Sequence, residues 1–222
     1  MTQYLGEQNT VGFLFSSGTY ATASGNSLQS FGLVQNHAPD ETVNISKVRY
    51  TGTADRNVGQ FVTTSKDYAG TVTFYPQDWK SLWLAMGSVV DTSGTISTHV
   101  ISETNSDDGN KNTGAEKFPD FNVEDTHAVS GATANWQRLF NGATVNTWTL
   151  NGTQGDILSV DVDYIAQSVT ATSGNATTYT AGTSRPFLFS DCIFHLPSGT
   201  AFDRMVDFSL AINNNLLPAS SL

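Results

Sequence analysis

Residues 147–169, TWTLNGTQGDILSVDVDYIAQSV, constrain the fold more than any other stretch. Leu158, Val160, Val162 and Tyr164 alternate with Ser159, Asp161 and Asp163. A period of two puts the first set on one face of a strand and the second on the other. The Asn151-Gly152 pair ahead of them is a strong hairpin-turn signal. The segment is therefore expected to be a β-hairpin with one dry side, to be covered by a helix or an opposing sheet, and one acidic side. An acidic wet face can serve solubility, or it can be the wall of a passage that a polyanion crosses without sticking.

The chain's 222 residues suffice for one β domain that buries a substantial core without disulfides, and 1–222 is taken as a single domain with a polar insertion or arm at about 91–129. The opening MTQYLGEQNT has no charged-then-apolar leader and no apolar run approaches the length of a bilayer span, so a soluble protein made in the cytosol, with no membrane partner, is expected. The one cysteine, Cys192, sits in the strand-like FLFSDCIFHL and is expected to be a buried, inert thiol. Charged residues are only 14% of the chain, yet the net charge is −10. Such a surface repels phosphates at long range and excludes a module that binds nucleic acid by neutralising its backbone. The abundant Thr, Ser, Asn and Gly suit β-edges, tight turns and neutral surfaces that meet copies of themselves.

Along the chain, the first forty residues alternate aromatic clusters with Gly and Ser turns and predict irregular or short-strand structure. NISKVRY, VGQFVTT and GTVTFY follow as three half-buried strands in a meander. One helix is expected to start at Pro76, with Trp79, Leu82, Trp83 and Met86 as its apolar stripe at i, i+3, i+4 and i+7, and Gly87 as a left-handed cap. Residues 91–129 are polar and Gly-rich, with weak strand signals near Ile96–Ile101 and Phe118–Val123. After WQRLF and the hairpin, residues 168–184 read as a loop. Two last strands follow, FLFSDCIFHL and RMVDFSLAI, joined by a turn at Pro197-Ser198-Gly199. In the second of these, Val206, Phe208, Leu210 and Ile212 face one way, and Asp207 and Ser209 the other. The acidic wet face thus occurs twice.

Catalytic patterns are lacking. His37, His99, His127 and His195 have no close ligand spacing, and no nucleophile elbow, P-loop or dinucleotide fingerprint occurs, so no cofactor and no metal are expected. NSDDGN at 105–110 lacks the distal bidentate Glu of a calcium loop and is taken as a solvated turn. Asp161 with Asp163, and Glu124 with Asp125, have the chemistry of a glycosidase pair but are expected to be solvated strand faces. The sequence does not place Trp136 and Trp148, which on the surface would be candidates for stacking on sugars.

Three elements in order carry a family resemblance: the strand leading into P-x-D-x-x-x-L-x-x-x-x-G at 76–87, the L-N-G-x-x-G-D-x-L-x-V hairpin at 150–160, and S-L-x-I-N-N-N-L at 209–216. Together, over roughly 40–90 and 140–216, the chain resembles the major tail tube proteins of long-tailed, siphovirus-like bacterial and archaeal viruses. The resemblance implies an all-β sandwich or barrel with one short flanking α-helix, and a structural role without catalysis. It implies self-assembly into rings, hexameric or pseudo-hexameric, stacked into a tube through which genomic dsDNA passes during ejection without specific binding. The implied partners are further copies of the chain, a tape-measure protein, a tail terminator and tail-tip proteins. The implied location is the virion tail, with the host cytoplasm during assembly. On this reading Ser159, Asp161 and Asp163, with Asp207 and Ser209 as further candidates, face the lumen. Six copies would set roughly −60 of formal charge per ring, screened over about 8 Å in physiological salt. The alternative is a β-sandwich virion protein that binds glycans or a receptor.

Overall fold

A computed structural model describes residues 9–15, 27–48, 60–92, 98–103, 119–127, 135–174, 178–195, 199, 201–202 and 204–217. The chain is all-β with one short helix. In order come β1 (Thr10–Phe15), β2 (Ser27–Ser30), β3 (Leu33–Val48), β4 (Gln60–Tyr75), α1 (Lys80–Met86), β5 (Gly87–Thr92), β6 (Thr98–Glu103) and β7 (Phe121–His127). They are followed by β8 (Asn135–Thr153), β9 (Ser159–Ala166), β10 (Ser168–Gly174), β11 (Thr178–Thr180), β12 (Phe194–His195), β13 (Ala201–Phe202) and β14 (Asp207–Asn213).

The 19-residue β8 organises the molecule because both halves of the main sheet use it. Its first half pairs with β7 and β10, and through β7 reaches β1, β2 and β11. Its second half pairs with β9 and β14, and through β9 reaches β4 and β3. Register shifts lie at Asn122 in β7, opposite Gly142 (φ 62°), and at Asn146 in β8. An extra residue on one strand bends a sheet and sharpens its twist. The inner faces of the two halves meet in one core: Phe31 lies 4.8 Å from Phe13 and 5.6 Å from Phe74, joining β1 to β4. This is a sandwich whose layers share a strand.

Alternation sets which side is wet. In β9, Val160, Val162, Tyr164 and Ala166 are buried, while Ser159, Asp161 and Asp163 are half-buried on the reverse. The expected Asn151-Gly152 turn is instead strand: β8 runs on to Thr153 and the chain turns at Gln154-Gly155, where Gly155 has φ 88°. Gly152 serves packing, since a Cβ there would stand 2.4 Å from Phe208 Cε1 and 2.7 Å from Leu158 Cδ2. The three-strand meander is two 16-residue strands, and the QFVTT of the second expected strand and the GTVTFY of the third are parts of β4. Gly70 does not interrupt it, because the ring of Tyr164 on the paired strand lies over that position.

Several other expectations change. Residues 168–184 contain β10 and β11, since the β-branched threonines that looked loop-like suit an extended chain. FLFSDCIFHL is mostly not strand. Asp191 closes a 3-10 turn at Phe189–Asp191 by accepting the Leu188 N–H at 2.9 Å, and Arg185 grips the same carboxylate at 2.8 and 2.9 Å. Cys192 beside it is half-buried. The weak signals in 91–129 belong to β6, paired with β5, and to β7, which lies mid-sheet. The 105–110 turn and Pro197-Ser198 lie outside the described residues.

The helix begins one turn later than Pro76, whose carbonyl accepts the Phe187 N–H at 3.0 Å, and ends as expected at Gly87, φ 97°. Its fully buried residues are Ser81, Leu84 and Ala85. Leu82 and Trp83 pack part-buried against the core, Met86 is half-buried, and Trp79 is 39% exposed with its ring stacked 5.0 Å from Phe187. Ser81 is buried because its hydroxyl accepts the indole N–H of Trp148 at 3.2 Å, a cross-element demand that helical periodicity cannot reveal. Among the described residues no helix is long and apolar enough to cross a membrane.

Candidate functional site

The reverse of the β3-β4-β9-β8-β14 half-sheet is a continuous polar face. Residues directly opposite in antiparallel strands share a face, so the register gives its rows. One row is Asn36, Thr73, Asp161, Thr149 and Ala211; the next is Ala38, Thr71, Asp163, Thr147 and Asn213. At one end Ser159, Asn151 and Ser209 form a third row, with Asp207 opposite Thr153 beyond them. No Lys or Arg stands in these rows. Four of the five residues proposed from sequence thus meet across three strands, and Asp207 extends the face along the edge strand.

Hydroxyls and amides pin its carboxylates. Thr73 Oγ1 donates to Asp161 Oδ1 at 2.7 Å and Thr71 Oγ1 to Asp163 Oδ1 at 2.6 Å, lengths typical of charge-assisted O–H donors. Asn151 Nδ2 donates to Asp161 Oδ2 at 3.3 Å, and Ser209 Oγ donates to Asn151 Oδ1 at 2.8 Å. A chain of hydrogen bonds therefore crosses β14, β8, β9 and β4. The sequence reading missed Thr71, Thr73 and Asn151, because their importance lies in register rather than in residue type.

The asparagine run after β14 locks this half-sheet to the helix. Asn214 Nδ2 donates to the carbonyls of Ala85 at 3.0 Å and Val145 at 2.9 Å. At the β8 irregularity, Asn146 O accepts the Asn214 N–H at 2.8 Å and Asn146 Oδ1 accepts the Leu216 N–H at 2.8 Å. Asn215 takes the left-handed conformation, φ 50°, that lets the chain turn there. The helix, the hairpin and the N-N-N-L element are one fastening, which explains why they occur in the same chain.

The sequence of this chain, scanned against models of protein families, matches one described as phage tail tube protein over residues 8–221. The chain belongs to that family. No curated protein matches it significantly. The tail tube protein is a structural component of a viral tail, assembles with copies of itself into the tube, and meets other tail components.

Other candidate positions are structural. Glu124 and Asp125 are not a solvated face but are 3% and 4% exposed. Glu124 accepts from Thr126 at 2.8 Å and Gln137 at 3.2 Å, since β7 lies between two strands with both faces covered. Trp148 is 1% exposed in the core, and the half-buried Trp136 ring is met by the Arg138 guanidinium at 5.3 Å and His127 at 5.2 Å. Neither tryptophan is an open platform for a sugar. Among the described residues, no group of three His, Cys, Asp or Glu side chains is placed to hold a metal ion.

Proposed function

We propose that the polar face of the β3-β4-β9-β8-β14 half-sheet lines the lumen of the tail tube. Ser159, Asp161, Asp163, Asp207 and Ser209 would then border dsDNA passing during genome ejection, in a siphovirus-like tail of stacked six-subunit rings. The supporting observation is the composition of the rows: carboxylates held by neutral donors, and no cation. A wall of that kind repels the phosphate backbone and offers no counterion-release affinity that would arrest sliding.

Ring closure has candidate surfaces at both edges of the half-sheet. Five strands joined by antiparallel pairings leave β3 and β14 running in the same direction, each with an edge that has no partner strand among the described residues. Edge-to-edge closure by rotation about the tube axis would make a parallel contact between β14 of one subunit and β3 of the next, and would remove free edges. Val206 and Leu210, 62% and 54% exposed at the β14 edge, would be covered there. Beyond Glu41, β3 and β4 pair only with each other, with Val43, Ile45, Phe61 and Val62 all exposed. An isolated two-stranded ribbon is marginal in water, so this one is assigned to contact with a neighbouring subunit or ring. The tape-measure, terminator and tail-tip proteins would meet the ends or lumen of the tube.

The direct test exchanges Asp161 and Asp163 for Lys in a virion. Tubes should form while ejection slows or stalls; normal ejection through normal tubes would remove these residues from the lumen.

A further inference from the structure

Between the two layers lies a cluster of titratable side chains unrelated to the polar face. Asp125 on β7 points inward with its side chain 6% exposed. His37 on β3, 4% exposed, brings Nδ1 to 3.4 Å from Asp125 Oδ2, and its Nε2 is 2.8 Å from the Tyr164 hydroxyl on β9. His127 on β7 places Nε2 3.2 Å from Asp125 Oδ1, and Arg138 on β8 places a guanidinium nitrogen 4.0 Å from Oδ2. Arg138 is steadied by the rings of Trp136 and Phe140 at 5.3 and 5.5 Å. The positions paired around Asp125 and Arg138 carry Val11 on β1 and Ala171 on β10, and β4 presents Val72 opposite His37. Glu124 belongs to the other face of β7, bonded to Thr126 and Gln137. Asp125 is therefore the anion set among His37, His127 and Arg138.

The cluster joins the layers. His37 and Tyr164 come from the half-sheet that carries the polar face, and Asp125, His127 and Arg138 come from the other. Burial pushes the Asp125 carboxyl up, but His37 and His127 outweigh it and hold it below the usual carboxylate value. Burial, then the charge of Asp125, pushes the Tyr164 phenol up, with Arg138 pulling it down less, so the phenol stays protonated. When its O–H donates to Nε2, the His37 ring proton sits on Nδ1, facing Asp125. That Nδ1 is buried and off-line for a hydrogen bond, so the nearby charge of Asp125 is what accommodates it.

We propose that this cluster is an acid-released clamp between the two layers: it holds while Asp125 is ionised and opens once Asp125 takes a proton and its charge no longer draws His37, His127 and Arg138 together. The direction follows from linkage. A carboxyl whose folded value is depressed contributes stability that is present above its unfolded value, about 3.9, and lost as pH falls through the folded value. Protonation removes the charge that draws His37, His127 and Arg138 to one point between the layers. The inference concerns the subunit alone and does not depend on what the polar face borders.

The test follows near-ultraviolet circular dichroism of the purified full chain from pH 8 to pH 2, with carboxyl NMR reporting Asp125. The expected result is cooperative loss of tertiary signal below about pH 4, coinciding with Asp125 protonation. In Asp125→Asn, where the charge is absent at every pH, tertiary signal at pH 8 should be lost at a lower urea concentration than in the wild type, and that difference should disappear as the pH falls through the wild-type Asp125 midpoint. Equal urea midpoints at pH 8, or a difference that persists below the Asp125 midpoint, would overturn the clamp. If Asp125→Asn does not fold at pH 8, the wild-type titration decides: opening more than about one pH unit from the Asp125 midpoint overturns the proposal.

Discussion

Leu84→Ala tests how the helix is seated. The sequence stripe includes Leu82 and leaves out Leu84, whereas the structure leaves Leu84 0% exposed and Leu82 only part-buried. Truncating a fully buried leucine removes its transfer free energy and leaves a cavity, at a cost of about 2–5 kcal/mol. The site has little freedom to collapse, because Ser81 is tied to Trp148 and Ala85 to Asn214 on either side. We therefore expect about 3 kcal/mol, within that range. Leu82→Ala forfeits roughly half of a full burial and little cavity energy, about 1 kcal/mol. At about 2–4 °C per kcal/mol for a chain of this size, differential scanning calorimetry on the unassembled subunit should show Tm falling by about 6–12 °C for Leu84→Ala and about 2–4 °C for Leu82→Ala. Equal shifts, or a larger one for Leu82→Ala, would refute this orientation of the helix.

Further outcomes follow from single contacts. Ser81→Ala orphans the buried Trp148 N–H and should cost about 1–3 kcal/mol, read as a lower urea midpoint at unchanged m. Gly152→Ala pushes a methyl into Phe208 and Leu158 and should cost about 1–3 kcal/mol, with faster hydrogen exchange in β14 than in β9. Ile45→Ser with Phe61→Ser removes apolar surface from an exposed ribbon; the subunit's Tm should change little while sedimentation shows that tube formation is lost.

The hairpin's faces were legible because a strand's period of two needs no information from elsewhere. Val160, Val162 and Tyr164 are buried against the core with Ser159, Asp161 and Asp163 on the reverse, although the turn between the strands lies at Gly155. The Gly87 cap was legible for the same local reason. What escaped depended on partners distant in sequence. Gly152 looked like a turn residue because Phe208 comes 56 positions later, and Ser81 went unnoticed because Trp148 comes 67 later. Asp125 resembled a surface carboxylate until β3 brought His37 beside it. The candidate wall shows both cases: its aspartates stood out in one strand, while Thr71, Thr73 and Asn151 became part of it only through register.

The central claim is which face borders the lumen, and cryo-electron microscopy of tubes assembled from the purified chain tests it most directly. The account predicts stacked rings whose inner surface is formed by β3, β4, β9, β8 and β14, with Asp161 and Asp163 toward the axis. A tube with those aspartates on its outer surface or in a subunit contact would contradict it, as would a concentrated preparation containing only dispersed monomers.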